Sequence, residues 1–230
     1  MNNDIVSNIG KSHVQNQGEV TTERFVSFLD IMGFKDFIAR NDYKLILEKL
    51  TELTDYISEE VGKYAGFHFS MFSDSILIYS DEANEDHFEI IVKISSQIVS
   101  KSISIGLPIK GAIAKGICTA TTGEKLLYFG QPIIDAFKLE ENIVIYGVAI
   151  HNTAEQEAIA LVNRYESKYL YDYKVTLKSA SSKHFILNWY GDQIDESMTL
   201  LTNIRKTVSD APRRYIDNTI DAIIFLRGKN

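Results

Sequence analysis

The chain has a single cysteine, no block of basic residues and no long apolar run, and each shortage removes a class of protein. Cys118 alone excludes a disulfide scaffold and a multi-cysteine zinc site, and suits a reducing compartment. Lysine and arginine total 24 against 31 acidic residues, a formal net charge of −7, which argues against a protein that coats DNA. No apolar stretch approaches the roughly 18 residues a spanning helix needs. The opening MNNDIVSNIGKSHVQNQGEV also lacks the apolar core of a signal peptide. The expectation is a cytoplasmic globular chain with no membrane span and no direct DNA binding.

What is present is enough apolar material, 45% of 230 residues, for one good-sized core. Residues 1–22 hold no aromatic side chain and are rich in Asn, Gln, Ser and Gly, so they are expected to form a flexible arm. Residues 23–230 are expected to form one domain, with its core motifs in 24–150 and a C-terminal extension over 151–230. FVSFLDI suits a buried strand ending near Gly33. Ile46, Leu47, Leu50, Leu53, Ile57 and Val61 recur at helical spacing. FHFSMF and SILIYS flank a Ser73-Asp74 turn as a hairpin. A second amphipathic helix is expected over about 84–104, then the strand IKGAIAKGIC, whose two glycines imply close backbone approach. The order strand, helix, strand, strand, helix, strand is that of an α+β fold with a ferredoxin-like βαββαβ core. Beyond it the pattern gives a short helix near 131–141, the strand IVIYGVAI, a helix near 153–165, the strand HFILNWYG and two closing helices near 195–208 and 211–226.

Asp30 ends a buried strand, where a carboxylate is costly unless solvated, hydrogen-bonded or bound to a cation. Gly33, three residues on, frees the next turn to aim its N–H groups at an anion; a capping aspartate is the plainer alternative. Asp74 lies in the hairpin turn, itself an ordinary place for aspartate. In a ferredoxin-like sheet, however, the first strand runs beside this hairpin, so Asp30 and Asp74 meet. Two carboxylates at close range call for a divalent cation, and Mg²⁺ or Mn²⁺ fits an all-oxygen site shared with phosphates.

FLDIMGF, FSDS, PIKGAIAKG and FGQPIIDAFKLEE, in that order, resemble the class III nucleotidyl cyclase catalytic domain over roughly residues 24–150. The resemblance implies two divalent cations, Mn²⁺ or Mg²⁺, held by Asp30, Asp74 and the backbone carbonyl of Ile31, with Gly33 and Phe34 cradling a triphosphate. It places Ile134 where the family carries a ribose-orienting asparagine and Lys138 where it carries an arginine on the phosphates. Ser70 and Leu127 stand where a lysine and an aspartate read adenine, and no guanine-reading alternative is present. Lacking purine readers, GAIAKG and GQPIIDAFKLE look closest to the bacterial pyrimidine cyclases of the Pycsar anti-phage system. Their strand motif often carries an arginine at the place of Lys110, and RRYIDNTI also looks similar. The resemblance further implies a homodimer with sites shared between chains, and a separate effector protein that senses the product.

The reading is therefore a cyclase that turns a pyrimidine triphosphate, UTP ahead of CTP, into a 3′,5′-cyclic monophosphate. Ser70 supplies one hydroxyl to the base edge, and Leu127 offers no carboxylate to cytosine's amino group. A catalytically silent nucleotide- or partner-binding module and a different phosphoryl-transfer enzyme remain alternatives. Lys110 and Lys138 are candidates to line the phosphates, and Asp135 to touch base or ribose; Lys115 is read as a surface lysine. Gly123-Glu124-Lys125 lacks the rest of a phosphate loop. The five histidines show no ligand spacing, Cys118 reads as a core residue, and the tyrosines of 165–173 as packing.

Overall fold

Side chains alternate across a strand, and along β1 (Glu19–Ile31) this alternation separates core from site. Phe25, Ser27, Leu29 and Ile31 lie on one face: the rings of Phe25 and Phe88 are 5.1 Å apart, and Ser95 Oγ donates to Ser27 Oγ at 2.9 Å. Arg24, Val26, Phe28 and Asp30 lie on the other. The computed structural model describes residues 19–121, 127–165, 169–190, 194–208 and 210–228.

Two 20-residue helices cover the Phe25 face. α1 (Phe34–Arg40) is a short connector that buries no residue, and α2 (Tyr43–Gly62) follows, capped where Asp42 accepts from Leu45 N at 2.8 Å. Then come β2 (Phe67–Phe72), β3 (Ser75–Ser80) and α3 (Glu85–Ser104), capped by Asn84 accepting from His87 N at 2.9 Å. Leu53, Ile57, Ile91, Ile94 and Ile98 are fully buried on the inner stripes of α2 and α3. β4 (Ile109–Thr121) completes the βαββαβ unit, and the strands lie in the order β2-β3-β1-β4, all antiparallel.

β5 (Tyr128–Gly130) folds back on β4, and α4 (Gln131–Asn142) crosses the Phe28 face, where Phe137 meets Phe28 edge-on at 5.5 Å. β6 (Gly147–Ile150) adds parallel to β4. After α5 (Glu155–Tyr165), the hairpin of β7 (Leu170–Thr176) and β8 (Ser181–Leu187) extends the sheet to the order β2-β3-β1-β4-β6-β8-β7. α6 (Ile194–Thr207) and α7 (Asp210–Arg227) close the chain. Among the described residues no helix is long and apolar enough to cross a membrane.

The expected α+β core stands, with local differences. Residues 19–22, expected in the arm, pair with Thr121–Cys118 in β1 and β4; residues 1–18 lie outside the described residues. The strand expected at 143–150 is regular only from Gly147, whose φ of 135° breaks it. β7 forms in the tyrosine-rich stretch because it pairs with β8 from Leu170 to Thr176. Gly123, Glu124 and Lys125 fall outside the described residues.

The glycines of β4 have a packing reason. A Cβ on Gly111 would lie 2.5 Å from the Phe28 carbonyl and also collide with Leu29; one on Gly116 would lie 3.2 Å from Pro132 at the start of α4. Gly111→Ala is expected to destabilise the fold by about 1–3 kcal/mol through overpacking, read as a lower urea midpoint at unchanged slope. Gly116→Ala, which meets only a proline ring edge, is expected to cost less.

Candidate active site

The strand register lays out two rows across the face that α4 partly covers. Phe72, Ser75, Asp30 and Lys110 are successive cross-strand partners on β2, β3, β1 and β4. Ser70, Leu77, Phe28 and Ala112 form the next row. Cross-strand partners share a face, so Asp30 and Ser70 look onto the same surface. The Ser73-Asp74 turn closes the β2–β3 hairpin with Ser73 in the left-handed region at φ 58°. Ile31 N donates to the Asp74 carbonyl at 2.9 Å, which ties the turn to the end of β1. Asp30 and Asp74 are thus brought together, as the ferredoxin-like strand order implied.

The electrostatics at Asp30 are those of a site short of positive charge. Its pKa is raised from the ordinary 3.8 to about 6, first by burial, then by the negative charges of Glu140 and Asp74. Lys110 and a 3.4 Å hydrogen bond from Ser75 Oγ pull the other way without cancelling the rise. A divalent cation fits this donor set. Both side chains are hard oxygen ligands, and bound positive charge would oppose the burial and repulsion that together hold Asp30 towards its neutral form. Among the described residues no three His, Cys, Asp or Glu side chains form a ligand cluster, so the fit is to two carboxylates completed by backbone and substrate oxygens.

Gly33 takes φ 72° and precedes α1 as its N-cap without a side-chain acceptor, while Met32 N is taken by the Pro108 carbonyl at 2.8 Å. Phe34 opens α1 half-buried. Leu127 is exposed, and its N–H donates to Thr121 Oγ1 at 2.9 Å. The next residue, Tyr128, reaches over the sheet to Tyr79, ring centroids 5.5 Å apart, one row beyond Ser70. Ile134 and Lys138 stand on the exposed side of α4, and Asp135 accepts from Gln131 Nε2 at 2.7 Å. Within one chain the residue of α4 whose charge acts on Asp30 is Glu140.

Two lysines are placed differently from a phosphate lining. Lys110 is 5% exposed, and its Nζ lies 2.7 Å from both Oε1 and the carbonyl oxygen of buried Glu140. It is therefore a buried partner of α4 rather than an open contact for phosphate. Lys115, expected as a solvated surface lysine, is instead largely covered: it bonds Glu157 at 2.9 Å and Glu23 at 3.2 Å and lies over the Phe25 ring.

Sequence reading missed Glu140 and the aromatic wall of His68, Tyr79 and Tyr128. His68 stacks on Tyr79 at 5.1 Å, and burial pushes the Tyr79 phenol pKa well up. The period-2 alternation of β2 and β3 already put His68 on the face of Ser70. Only the fold-back of β5, which has no sequence signal, adds Tyr128.

No protein-family model matches the sequence, and no curated protein matches it. Solved structures do. The chain is similar to the adenylyl cyclase CyaB from P. aeruginosa, at TM-score 0.55 and 16% identity over 74% of this chain and 95% of that one. The guanylate cyclase domain of RhGC from Catenaria anguillulae, solved in complex with GTP, gives 0.52 and 15% over 74% and 98%. A bacterial light-regulated adenylyl cyclase gives 0.58 and 12% over 84% of this chain and 59% of that one. At these identities the likeness is one of fold: the chain has the fold of adenylyl and guanylyl cyclase catalytic domains.

The raised Asp30 pKa carries a stability sign. The folded chain holds this proton more tightly than the unfolded chain, so the contribution is favourable at low pH and is lost as pH rises through about 6. Asp30→Asn is therefore expected to melt higher than wild type at pH 7.5 in chelator, with the gap closing towards pH 4. Melting curves across that range, without metal, check it.

Proposed function

We propose that the chain is a nucleotide cyclase that converts UTP to 3′,5′-cyclic UMP and pyrophosphate. The observation that carries the reading is the pair Asp30 and Asp74, brought together at the end of one strand and in the turn of the neighbouring hairpin of a cyclase fold, with Asp30 driven towards its neutral form by burial and by the negative charge around it. Asp30, Asp74 and the Ile31 carbonyl would hold divalent cations, Mn²⁺ or Mg²⁺, which supply Lewis acidity to the ribose 3′-hydroxyl and charge neutralisation at the α-phosphate. The 3′-oxygen then bonds to the α-phosphorus, the bond to the pyrophosphate oxygen breaks, and the hydroxyl proton leaves to solvent. The turn at Gly33 and Phe34 receives the phosphates, and Lys138, exposed on α4, steadies the departing pyrophosphate from the partner chain of a homodimer.

Uracil is favoured at the base because Ser70 both donates and accepts, while the exposed Leu127 offers no carboxylate to cytosine. One hydroxyl discriminates by roughly 1–2 kcal/mol, so CTP is turned over more slowly, not refused. Cyclic UMP would serve as a second messenger in anti-phage defence, read by a separate effector protein. A silent nucleotide- or partner-binding module is the rival reading; Ile134 and Lys138, in place of the family's asparagine and arginine, favour it.

Incubation with Mn²⁺ and each of the four labelled NTPs tests the reading. Expected are cyclic UMP, a smaller yield of cyclic CMP, and loss of at least a hundredfold in Asp30→Ala or Asp74→Ala. A linear product, or none, refutes a cyclase, and faster CTP cyclisation refutes only the base assignment. Asp30→Ala chains mixed with Lys138→Ala chains are expected to regain part of the activity that each has lost. Verified mixed dimers with no regained activity would count against shared sites.

A further inference from the structure

Beside Asp30 lies a second, oppositely charged pair that the phosphate-lining role does not account for. Lys110 is the cross-strand partner of Asp30, and its Nζ is 2.7 Å from Glu140 Oε1. Both side chains are under 7% exposed, so water screens their fields poorly. Tyr215 of α7 lies over the ammonium, 5.9 Å from ring centroid to Nζ, and stacks on Tyr146 at 6.0 Å, so the C-terminal extension helps keep the pair dry. The two charges act on Asp30 with opposite sign, Glu140 more strongly than Lys110.

We propose that Lys110 and Glu140 are positioning residues that set the field at the cation site: Lys110 offsets much of the buried Glu140 charge, so that Asp30 and Asp74 supply most of the charge a divalent cation meets. Glu140 without Lys110 would be a buried third carboxylate, and Lys110 without Glu140 a buried cation beside the ligands. The inference rests on Asp30 and Asp74 holding cations, and deepens that reading by assigning the pair behind them.

The test is Mn²⁺ binding to the full chain by titration calorimetry at pH 8 without nucleotide, so that turnover plays no part. Glu140→Gln keeps the size and hydrogen-bonding capacity of the side chain and leaves the Lys110 charge unopposed. Its Mn²⁺ dissociation constant is expected to rise about tenfold. Lys110→Met added to Glu140→Gln removes the stranded charge, and affinity is expected to return to within a few-fold of wild type. A pair that served only the fold would give the opposite order, with the double variant binding no better than the single one. That order, or wild-type affinity in Glu140→Gln, overturns the proposal. Should the double variant not fold, Glu140→Gln alone decides between a tenfold loss and none. Asp74→Ala is the control, since Mn²⁺ binding that survives it removes the cation site and this inference together. A wild-type chain that binds Mn²⁺ as expected yet forms no cyclic product removes the cyclase reading and leaves this inference standing.

Discussion

Antiparallel pairing on both sides of β1 fixes the address of Asp30, of its cross-strand partners and of the hairpin turn beside it. With Asp30 opposite Ser75 and Lys110, Phe25, Ser27, Leu29 and Ile31 enter the main core, while Val26, Phe28 and Asp30 lie on the opposite face, Phe28 and Asp30 only half-buried there. A slip of one residue would exchange the two sets, turning Asp30 into the apolar layer beneath α3 and Leu29 out of it. Three features hold the register. Phe25, Leu29 and Ile31 are buried to within 1%; Ile31 N is bonded to the hairpin turn; and Gly111 lets β4 approach Phe28 more closely than any side chain would permit. The core and the site are thus one constraint seen from two faces of the same strand.

That geometry concentrates charge where the fold would do better without it. Asp30 is half-buried near Asp74 and Glu140, and its raised pKa shows that the balance remains unfavourable to its ionised form. Like-charge crowding that a chain could relieve with one neutral residue is commonly kept where it binds or reacts. Lys110 offsets Glu140, and burial sharpens the effect because neither charge is shared with water. Helix α4 therefore does two things. It presents Ile134, Asp135 and Lys138 outward, and it inserts Glu140 inward beside the strand that carries Asp30.

How far the sequence foretold this depends on whether the cause was local. The hairpin around Ser73-Asp74, the amphipathic stripes of α2 and α3 and the buried FVSFLDI run are signals of period 2 or 3.6, and each became the expected element. The meeting of Asp30 with Asp74 was legible because a βαββαβ order leaves few places for the first strand. Lys110 was not, because nothing in IKGAIAKG says that Glu140, 30 residues on, will take its ammonium. The strand expected at Ile143 is regular only from Gly147, whose φ is 135° and where an added Cβ would lie 3.1 Å from Trp189 Nε1, a contact no local pattern announces. Likewise α1 buries nothing, so no apolar stripe announced it. The aromatic wall on the open face needed the curl of β5, which places Tyr128 on Tyr79 across the sheet.

Diffraction from crystals soaked in Mn²⁺ and a non-cyclisable UTP analogue, recorded where manganese scatters anomalously, tests the central claim most directly. The account predicts an anomalous peak within roughly 2.0–2.3 Å of carboxylate oxygens from both Asp30 and Asp74, with the Ile31 carbonyl and phosphate oxygens completing the shell. Manganese bound elsewhere, or a nucleotide seated away from both aspartates, would contradict it.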